Sequence, residues 1–210
     1  MNNKNIILVG GGGHCKSVID VAETAEWTIV GILDIAENVG KKVLKYSIIG
    51  TDEQIPEFVN KAYFLVTVGQ IKDAGLRIKL HNKILSSGGE LATVISSYAC
   101  MSKYSEIGKG TVIMHKAAVN AGAKIGAGCI INTFANIEHD AVVGDYCHIS
   151  TGAMINGDCS IGRETFVGSG AVVSNGVSIA ERCIVAAGAV VRKNISISGI
   201  YAGNPAIKYK

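Results

Sequence analysis

The sequence has little charge and no long apolar run. Charged residues make up 18% of the 210 positions and the formal net charge is +3. The dense basic patches with interleaved aromatic residues that are typical of nucleic-acid binders are absent. The apolar run at residues 6–9 is too short for a signal-peptide core or a membrane span. We therefore expect a cytoplasmic protein that binds neither nucleic acid nor a membrane.

Paired cysteines are also absent. The chain has six cysteines, but no two form a C-x-x-C pair, so a structural zinc site of the usual spacing is not indicated. We predict that no metal site exists. The hydrophobic fraction of 48% is nevertheless sufficient for a real core in one or two domains.

Residues 1–90 have the pattern of an α/β domain. Three short apolar segments, 6–10, 28–34 and 63–69, each end in glycine or aspartate and predict buried strands. Helical spacing of apolar residues predicts one helix after the first strand and another over residues 73–85. Alternating strands and helices indicate a small parallel sheet of the doubly wound, Rossmann-like type.

A six-residue repeat begins at residue 107. Isoleucine or valine occupies fifteen consecutive positions at a spacing of six, from Ile107 to Val191, and the side chain four residues after each is usually small. A period of six does not fit a helix. It predicts a parallel β-helix of hexapeptides, three to a coil, with roughly five coils between residues 107 and 196.

The repeat also accounts for most of the cysteines. Cys129, Cys147, Cys159 and Cys183 occupy the small, inward position, where cysteine acts as a compact hydrophobic residue. We expect these thiols to be reduced and structural. The predicted organisation is a Rossmann-like domain over 1–90, a connector over 91–106, a β-helix over 107–196 and a C-terminal tail over 197–210.

Three motifs resemble those of a family of bacterial sugar acetyltransferases. The repeat with Gly-Asn-Pro-Ala at 203–206 is similar to left-handed β-helix acyltransferases that use acetyl-CoA. Gly-Gly-Gly-Gly-His at 10–14 and Ile-Glu-His-Asp at 137–140 narrow the match. The chain resembles the family of the bacillosamine-pathway N-acetyltransferase and the sialic-acid O-acetyltransferase (NeuD/PglD-like). This resemblance implies acetyl-CoA as co-substrate, a nucleotide-sugar acceptor, and a homotrimer with active sites between neighbouring β-helices.

The Ile-Glu-His-Asp segment predicts a general base. Because positions 137 and 141 point inward, Glu138, His139 and Asp140 lie on the exposed side of the coil or at its edge. An imidazole accepts a proton near neutral pH, and a carboxylate on its other nitrogen fixes its tautomer. The resemblance favours Asp140 as that carboxylate, and Glu138 is the alternative. One coil further on, Gly157 presents an N–H without a side chain, which suits an oxyanion donor.

The resemblance also implies the binding residues. It assigns acetyl-CoA binding to His148, Ser169 and Ala187, in a region where small residues gather. It assigns the nucleotide sugar to the N-terminal domain, whose glycine loop follows a strand and opens a helix that can bind phosphate. The positions implied for this substrate are Gly12, Gly13, His14, Asp34 and Gly69. The bacillosamine-type enzyme has an acid at the position of Ile35 and asparagine at the position of Gln70.

We predict direct acetyl transfer from acetyl-CoA to a UDP-4-amino sugar, without an acyl-enzyme. O-acetylation of sialic acid or a related nonulosonic acid is the alternative, because it would use the same base and cofactor. A metal hydratase of the γ-carbonic-anhydrase type would need a histidine pair five residues apart, which this sequence lacks. A non-catalytic scaffold is a further alternative, against which the Ile-Glu-His-Asp cluster argues.

Overall fold

The computed structural model describes residues 4–209, in which an α/β domain precedes a parallel β-helix. Residues 1–3 and 210, which fall in the predicted first domain and the predicted tail, lie outside the described residues. No helix in the described part of the chain combines the length and the apolarity that a membrane crossing requires.

The α/β domain is built around a five-stranded, mostly parallel sheet. Its elements are β1 (Asn5–Val9), α1 (Gly13–Thr24), β2 (Thr28–Leu33), β3 (Lys42–Val43), β4 (Tyr46–Gly50), α2 (Ile55–Phe58), β5 (Tyr63–Val66) and α3 (Gly75–Ser86). The strand order is β3-β4-β2-β1-β5, and all neighbours are parallel except β3 and β4. Four of the five residues of β1 are buried, as expected for a strand covered on both faces. The prediction of an α/β domain with a parallel sheet is confirmed.

From residue 94 onward, short strands stack into the three faces of a triangular coil. The first face contains β6 (Val94–Ile95), β9 (Val112–Ile113), β12 (Ile130–Ile131), β15 (His148–Ile149), β18 (Phe166–Val167), β21 (Ile184–Val185), β23 (Ile200–Ala202) and β24 (Ile207–Lys208). The second contains β7 (Cys100–Met101), β10 (Ala118–Val119), β13 (Asn136–Ile137), β16 (Met154–Ile155), β19 (Val172–Val173) and β22 (Val190–Val191). The third contains β8 (Glu106–Ile107), β11 (Lys124–Ile125), β14 (Val142–Val143), β17 (Ser160–Ile161) and β20 (Ser178–Ile179). The predicted parallel β-helix, left-handed in this fold class, is confirmed.

The repeated aliphatic residue fills the interior of each coil. Residues 18 apart pair in parallel, as Ile131 does with Ile149, and both side chains are 0% exposed. Burial of a side chain of this size contributes about 1.5–3 kcal/mol. The stacked columns of isoleucine and valine therefore hold the coils together.

The corners between faces position the outward side chains. The first corner joins the first face to the second (residues 132–134, 150–152 and their equivalents). The second corner joins the second face to the third (138–140, 156–158), and the third corner joins the third face to the first (126–128, 144–146). The last residue of each of these segments has positive φ, among them Gly128, Asp140 and Asp158. Aspartate tolerates this conformation better than most side chains do.

The β-helix extends beyond both ends of the predicted repeat. β6 pairs with β9 and β7 pairs with β10, so the segment 91–106, expected as a connector, contributes the first coil. Ile95 and Met101 keep the six-residue spacing, but methionine interrupts the run of branched residues on which the prediction depends. In the segment expected as a tail, β23 continues the first face and pairs with β24 in an antiparallel hairpin.

The α/β domain packs on the first face of the β-helix. Val18, Val21 and Ala22 of α1 share one buried apolar cluster with Val94 and Val112 of the first face. This contact places the glycine loop before α1 close to the side chains of the first face.

Candidate active site

His139 lies at the second corner with its side chain 56% exposed. Its Nδ1 is 3.0 Å from Oδ2 of Asp140. Because a carboxylate only accepts, Nδ1 carries the proton of the neutral ring and Nε2 keeps a free lone pair. The hydrogen bond to Asp140 raises the pKa of His139, and the charges of Asp158 and Glu138 act in the same direction. The pair has the arrangement of a general base with a fixed tautomer.

Two glycines make room for this pair. A Cβ at Gly157 would lie 2.6 Å from both Cε1 and Nε2 of His139, so the ring rests directly on the glycine backbone. A Cβ at Gly122, one coil back, would overlap the carboxylate of Asp140. Among the hydrogen bonds of residues 4–209, none uses the Gly157 N–H, so this donor has no acceptor within the described part of the chain. The structure thus brings together His139, Asp140 and Gly157.

Glu138 has a different partner. Its Oε1 accepts a hydrogen bond from Nδ2 of Asn136 at 2.8 Å. Of the two carboxylates considered for the imidazole, it is Asp140 that contacts Nδ1, while Glu138 adds a negative charge nearby.

His148 lies under the α/β domain and is 8% exposed. Its Nδ1 is 2.6 Å from the carbonyl oxygen of Gln70, and its Nε2 is 3.2 Å from Nδ2 of Asn132. Because a carbonyl only accepts, Nδ1 carries the proton and Nε2 accepts from the Asn132 amide. Burial lowers the pKa of His148 to about 4, so the ring is neutral at pH 7. Acetyl-CoA binding by His148 stays a prediction, and the structure places this ring beside the N-terminal domain.

His14 faces His148 across the boundary between the domains, with ring centroids 6.4 Å apart. Its Nε2 is buried and has no hydrogen-bond partner among residues 4–209. Burial, followed by the nearby His148 and Arg77, lowers the pKa of His14 to about 4. A Cβ at Gly69 would lie 3.7 Å from the His14 Cβ, so these two predicted substrate contacts are neighbours.

The glycine loop before α1 is open where a phosphate would bind. A Cβ at Gly12 or Gly13 would meet nothing within 4 Å. Because the N-cap residue of α1 is Gly12, no side chain caps the N-terminus of the helix. The first N–H groups of α1 are therefore available to an anion. A Cβ at Gly11, by contrast, would lie 2.6 Å from Oδ2 of Asp34.

Asp34 supports this loop. Its Oδ2 accepts from the Gly11 N–H at 3.0 Å and from Asn38 Nδ2 at 3.2 Å, and its Oδ1 accepts from the Ile35 N–H at 2.8 Å. Most of the hydrogen-bonding capacity of the carboxylate is used within the chain. Asp34 thus holds the glycine loop in place, in addition to the nucleoside contact that is predicted for it.

Ser169 and Ala187 lie exposed at the first corner, one coil apart. Ser169 Oγ is 2.9 Å from Oγ of Ser150. Beside them, Gly170 and Gly188 have positive φ, and a Cβ at either would meet nothing within 4 Å. Small side chains with open space around them let a pantetheine arm approach the backbone, so these residues fit acetyl-CoA.

The predicted residues fall on two sides of the β-helix. In a three-sided coil, the second corner lies opposite the first face. His139 is at that corner, whereas the first face carries the α/β domain with His14 and His148. A single chain therefore does not bring His139 and His14 to one substrate.

Sequence reasoning missed two polar residues at this boundary. Arg77 is 2% exposed, and the half-buried Asn132 contacts His148. The signal for Arg77 was its position in helix α3, because Arg77, Leu80, His81 and Ile84 have the spacing of a buried stripe. In residues 4–209, no group of three or more His, Cys, Asp or Glu residues could hold a metal ion.

Fold and site together define a hexapeptide-repeat transferase with an N-terminal α/β domain. Residues 5–84 match the PglD N-terminal domain, and residues 122–157 and 158–193 match the bacterial transferase hexapeptide (six repeats). No match to a curated protein was found. The chain belongs to the PglD-like family of sugar N-acetyltransferases within the left-handed β-helix superfamily.

Solved structures agree with this membership. A histidine-to-asparagine mutant of perosamine N-acetyltransferase from Caulobacter crescentus, in complex with CoA and GDP-perosamine, is 32% identical, with 98% of this chain and 97% of that chain covered and a TM-score of 0.92. The acetyltransferase domain of PglB from Neisseria gonorrhoeae, in complex with acetyl coenzyme A, is 29% identical, with coverages of 99% and 100% and a TM-score of 0.91. WeeI from Acinetobacter baumannii shares the fold at 23% identity, with coverages of 97% and 98% and a TM-score of 0.86. The predictions of an acetyl-CoA-dependent sugar acetyltransferase and of acetyl-CoA as its co-substrate are confirmed.

Proposed function

We propose that the protein transfers the acetyl group of acetyl-CoA to the amino group of a nucleotide-diphosphate sugar, with His139 as the general base. The observation that carries this proposal is the His139–Asp140 pair lying on the backbone of Gly157. The perosamine enzyme, which is 32% identical, was solved with CoA and GDP-perosamine.

The reaction is a direct displacement. Nε2 of His139 accepts a proton from the sugar amine as the nitrogen forms a bond to the thioester carbon. The Gly157 N–H donates to the carbonyl oxygen while it carries negative charge, and the carbon–sulfur bond then breaks. The proton held by His139 passes to the departing thiolate. A positioned base contributes about 10²–10⁴ in rate, and one oxyanion donor about 10²–10³.

Binding of the two substrates is divided between the domains. Ser169 and Ala187, with His148, would hold acetyl-CoA, because the first corner is open and built from small residues. The nucleotide sugar would contact the N-terminal domain through residues with open space or an unpartnered polar atom. These residues are Gly12, Gly13, His14, Asp34 and Gly69.

The active site would be completed by a second copy of the chain. Since His139 lies opposite the first face, the second corner of one chain would meet the first corner and the α/β domain of its neighbour. A homotrimer would form three such sites by repeating one contact around a closed ring.

The charge of the second corner favours an amine acceptor over sialic acid. Glu138, Asp140 and Asp158 all lie close enough to raise the pKa of His139. Their negative charges attract an ammonium group and repel the carboxylate of a nonulosonic acid. UDP remains the expected carrier, although the perosamine enzyme was solved with a GDP-linked sugar.

The proposal is tested by measuring CoA release with three acceptors in parallel: UDP-4-amino-4,6-dideoxy-N-acetylglucosamine, GDP-perosamine and sialic acid. CoA is quantified by chromatography, because the exposed Cys100 would react with a thiol reagent. We expect turnover with the UDP-linked amine and a loss of at least about 10² in kcat for His139→Ala.

Other outcomes would correct specific parts of the proposal. Turnover with GDP-perosamine alone would change the carrier, and turnover with sialic acid alone would overturn N-acetylation. Full activity of His139→Ala would show that His139 is not the base. The exposed Ser160→Ala, on the next coil, is the control for nonspecific effects.

A further inference from the structure

Helix α3 inserts two polar side chains into the third corner of the β-helix. Arg77 is 2% and His81 is 1% exposed. Gly128 makes this approach possible, since a Cβ there would lie 2.9 Å from Cε1 of His81. Nη2 of Arg77 donates a hydrogen bond to the carbonyl oxygen of Gly128.

Arg77 has no carboxylate partner within ion-pair distance among residues 4–209. Burial lowers its pKa to about 10, so the guanidinium remains charged at pH 7. Both of its acceptors among residues 4–209 are neutral: the Gly128 carbonyl and Oε1 of Gln70 at 2.9 Å. A buried charge without a counter-charge is costly, and a purely structural contact would be served as well by an apolar side chain.

Gln70 joins three parts of the molecule. Its Oε1 accepts from Arg77 on α3, and its Nε2 donates to the carbonyl oxygen of Glu164 at 3.2 Å, on the third corner. Its own carbonyl oxygen accepts from Nδ1 of His148 at 2.6 Å, on the first face. Gln70 is 3% exposed and directly follows Gly69, so these bonds also determine where the backbone of Gly69 lies.

The hydrogen bonds continue to the first corner. Nε2 of His148 accepts from Asn132 Nδ2 at 3.2 Å, and Asn132 Oδ1 accepts from the Thr133 N–H at 2.8 Å. A single chain of hydrogen bonds thus runs from the third corner, across the first face, to the corner that carries Ser169. We call this chain the Arg77–Asn132 relay; its members are Arg77, Gln70, His148 and Asn132.

We propose that Gln70 and Arg77 are positioning residues for acetyl transfer, which act by holding His148 in its Nδ1–H tautomer between His14 and Asn132. The inference rests on the proposed function. The relay aligns the acceptor-binding domain, through Gly69 and His14, with the acetyl-CoA corner of the same chain. Without Arg77, Oε1 of Gln70 loses its buried donor. The position of the Gly69–Gln70 backbone relative to the His148 ring is then no longer fixed.

The test combines kinetics with the tautomer of His148. We compare the Arg77→Met, Gln70→Leu and double variants with Lys79→Met, an exposed residue of the same helix. In each single variant we expect KM for the acceptor and KM for acetyl-CoA both to rise by about tenfold, as for one lost buried hydrogen-bond partner, because His14 is a predicted acceptor contact and His148 a predicted acetyl-CoA contact. The double variant should be no worse than the worse single variant, because both substitutions break one relay.

Imidazole nitrogen chemical shifts of isotope-labelled histidine report the tautomer directly. We expect a single Nδ1–H form of His148 in the wild type and in Lys79→Met, and a mixture of both tautomers in Arg77→Met and Gln70→Leu. An unchanged tautomer, or an unchanged KM for either substrate, would overturn the proposal. If Arg77→Met does not fold, Arg77→Lys decides in the same way, since it retains the charge but cannot reach both acceptors. This readout needs no turnover, so it stands apart from any failure of the proposed acetyl transfer.

Discussion

Replacement of Gly157 by alanine should impair catalysis without affecting stability. The new Cβ would lie 2.6 Å from Cε1 and Nε2 of His139, whereas such atoms normally approach to about 3.5–4.0 Å. The ring therefore has to retreat by about 1 Å. It is free to do so, because the His139 side chain is 56% exposed. Gly157 is not among the residues with positive φ, so alanine fits its backbone.

This movement of the His139 ring should lower the rate of acetyl transfer. A displacement of about 1 Å can lower a rate by about 10², and swinging the ring also disturbs the 3.0 Å contact between Nδ1 and Asp140. Gly157 is buried, but the three atoms nearest to the new Cβ all belong to the exposed side chain of His139. The free energy of unfolding should therefore change by no more than about 0.5 kcal/mol. We therefore expect kcat to fall by about 10² in Gly157→Ala, with an unchanged melting temperature.

The assay is CoA release at saturating substrates, with thermal unfolding of the same samples and Ser160→Ala as control. The double variant His139→Ala/Gly157→Ala should be as slow as His139→Ala alone, because without the ring the new Cβ displaces nothing. An unchanged kcat in Gly157→Ala would refute the reasoning that this glycine positions the base. A double variant slower than His139→Ala would instead mean that the Cβ obstructs the substrate itself.

Three further predictions concern titratable groups. In Asp140→Asn the rate should fall and the acid limb of the kcat/KM profile should move to lower pH, because His139 acts as a neutral base and loses the contact that raises its pKa; a limb that stays in place would contradict this. Denaturant titrations should show that the free energy of unfolding declines as pH falls from about 6.5 towards about 4 and levels off below. In this window three imidazoles are protonated in the unfolded state but stay neutral in the folded state, where they are buried. A flat profile would count against their burial. These imidazoles, each with its pKa lowered to about 4, are His14, His81 and His148. A thiol reagent should label one of the six cysteines in the native protein, the exposed Cys100, and all six after unfolding. The reason is that burial raises the pKa of a thiol, that of Cys129 to about 12. Rapid labelling of several cysteines in the native protein would contradict the packing of the coils.

The architecture was largely accessible from the sequence because the β-helix is strictly periodic. A spacing of six assigns each residue to a face or corner, and a spacing of 18 identifies the residue stacked on it. Because 157 is 139 plus 18, this spacing stacks Gly157 on His139 from the sequence alone. It failed at residues 91–106, where Met101 keeps the spacing but not the residue type.

The boundary between the domains was not accessible in this way. Gln70 contacts Glu164 and His148, which lie 94 and 78 residues further along the chain. No local pattern encodes such contacts, because they depend on how α1 docks on the first face and α3 on the third corner. His148 is the clearest case: its position in the repeat indicates only an outward side chain, and docking of the α/β domain makes it buried and neutral.

The sequence by itself determined the fold class, the inward columns of isoleucine and valine, and the stacking of His139 on Gly157, because short-range periodicity governs all three. Only the tertiary structure decided which carboxylate contacts the imidazole, which side chains meet between the domains, and that His139 lies opposite the face that carries His14. These outcomes depend on side-chain directions and on the docking of one domain against another. Both are set by three-dimensional packing between residues that are distant in the sequence.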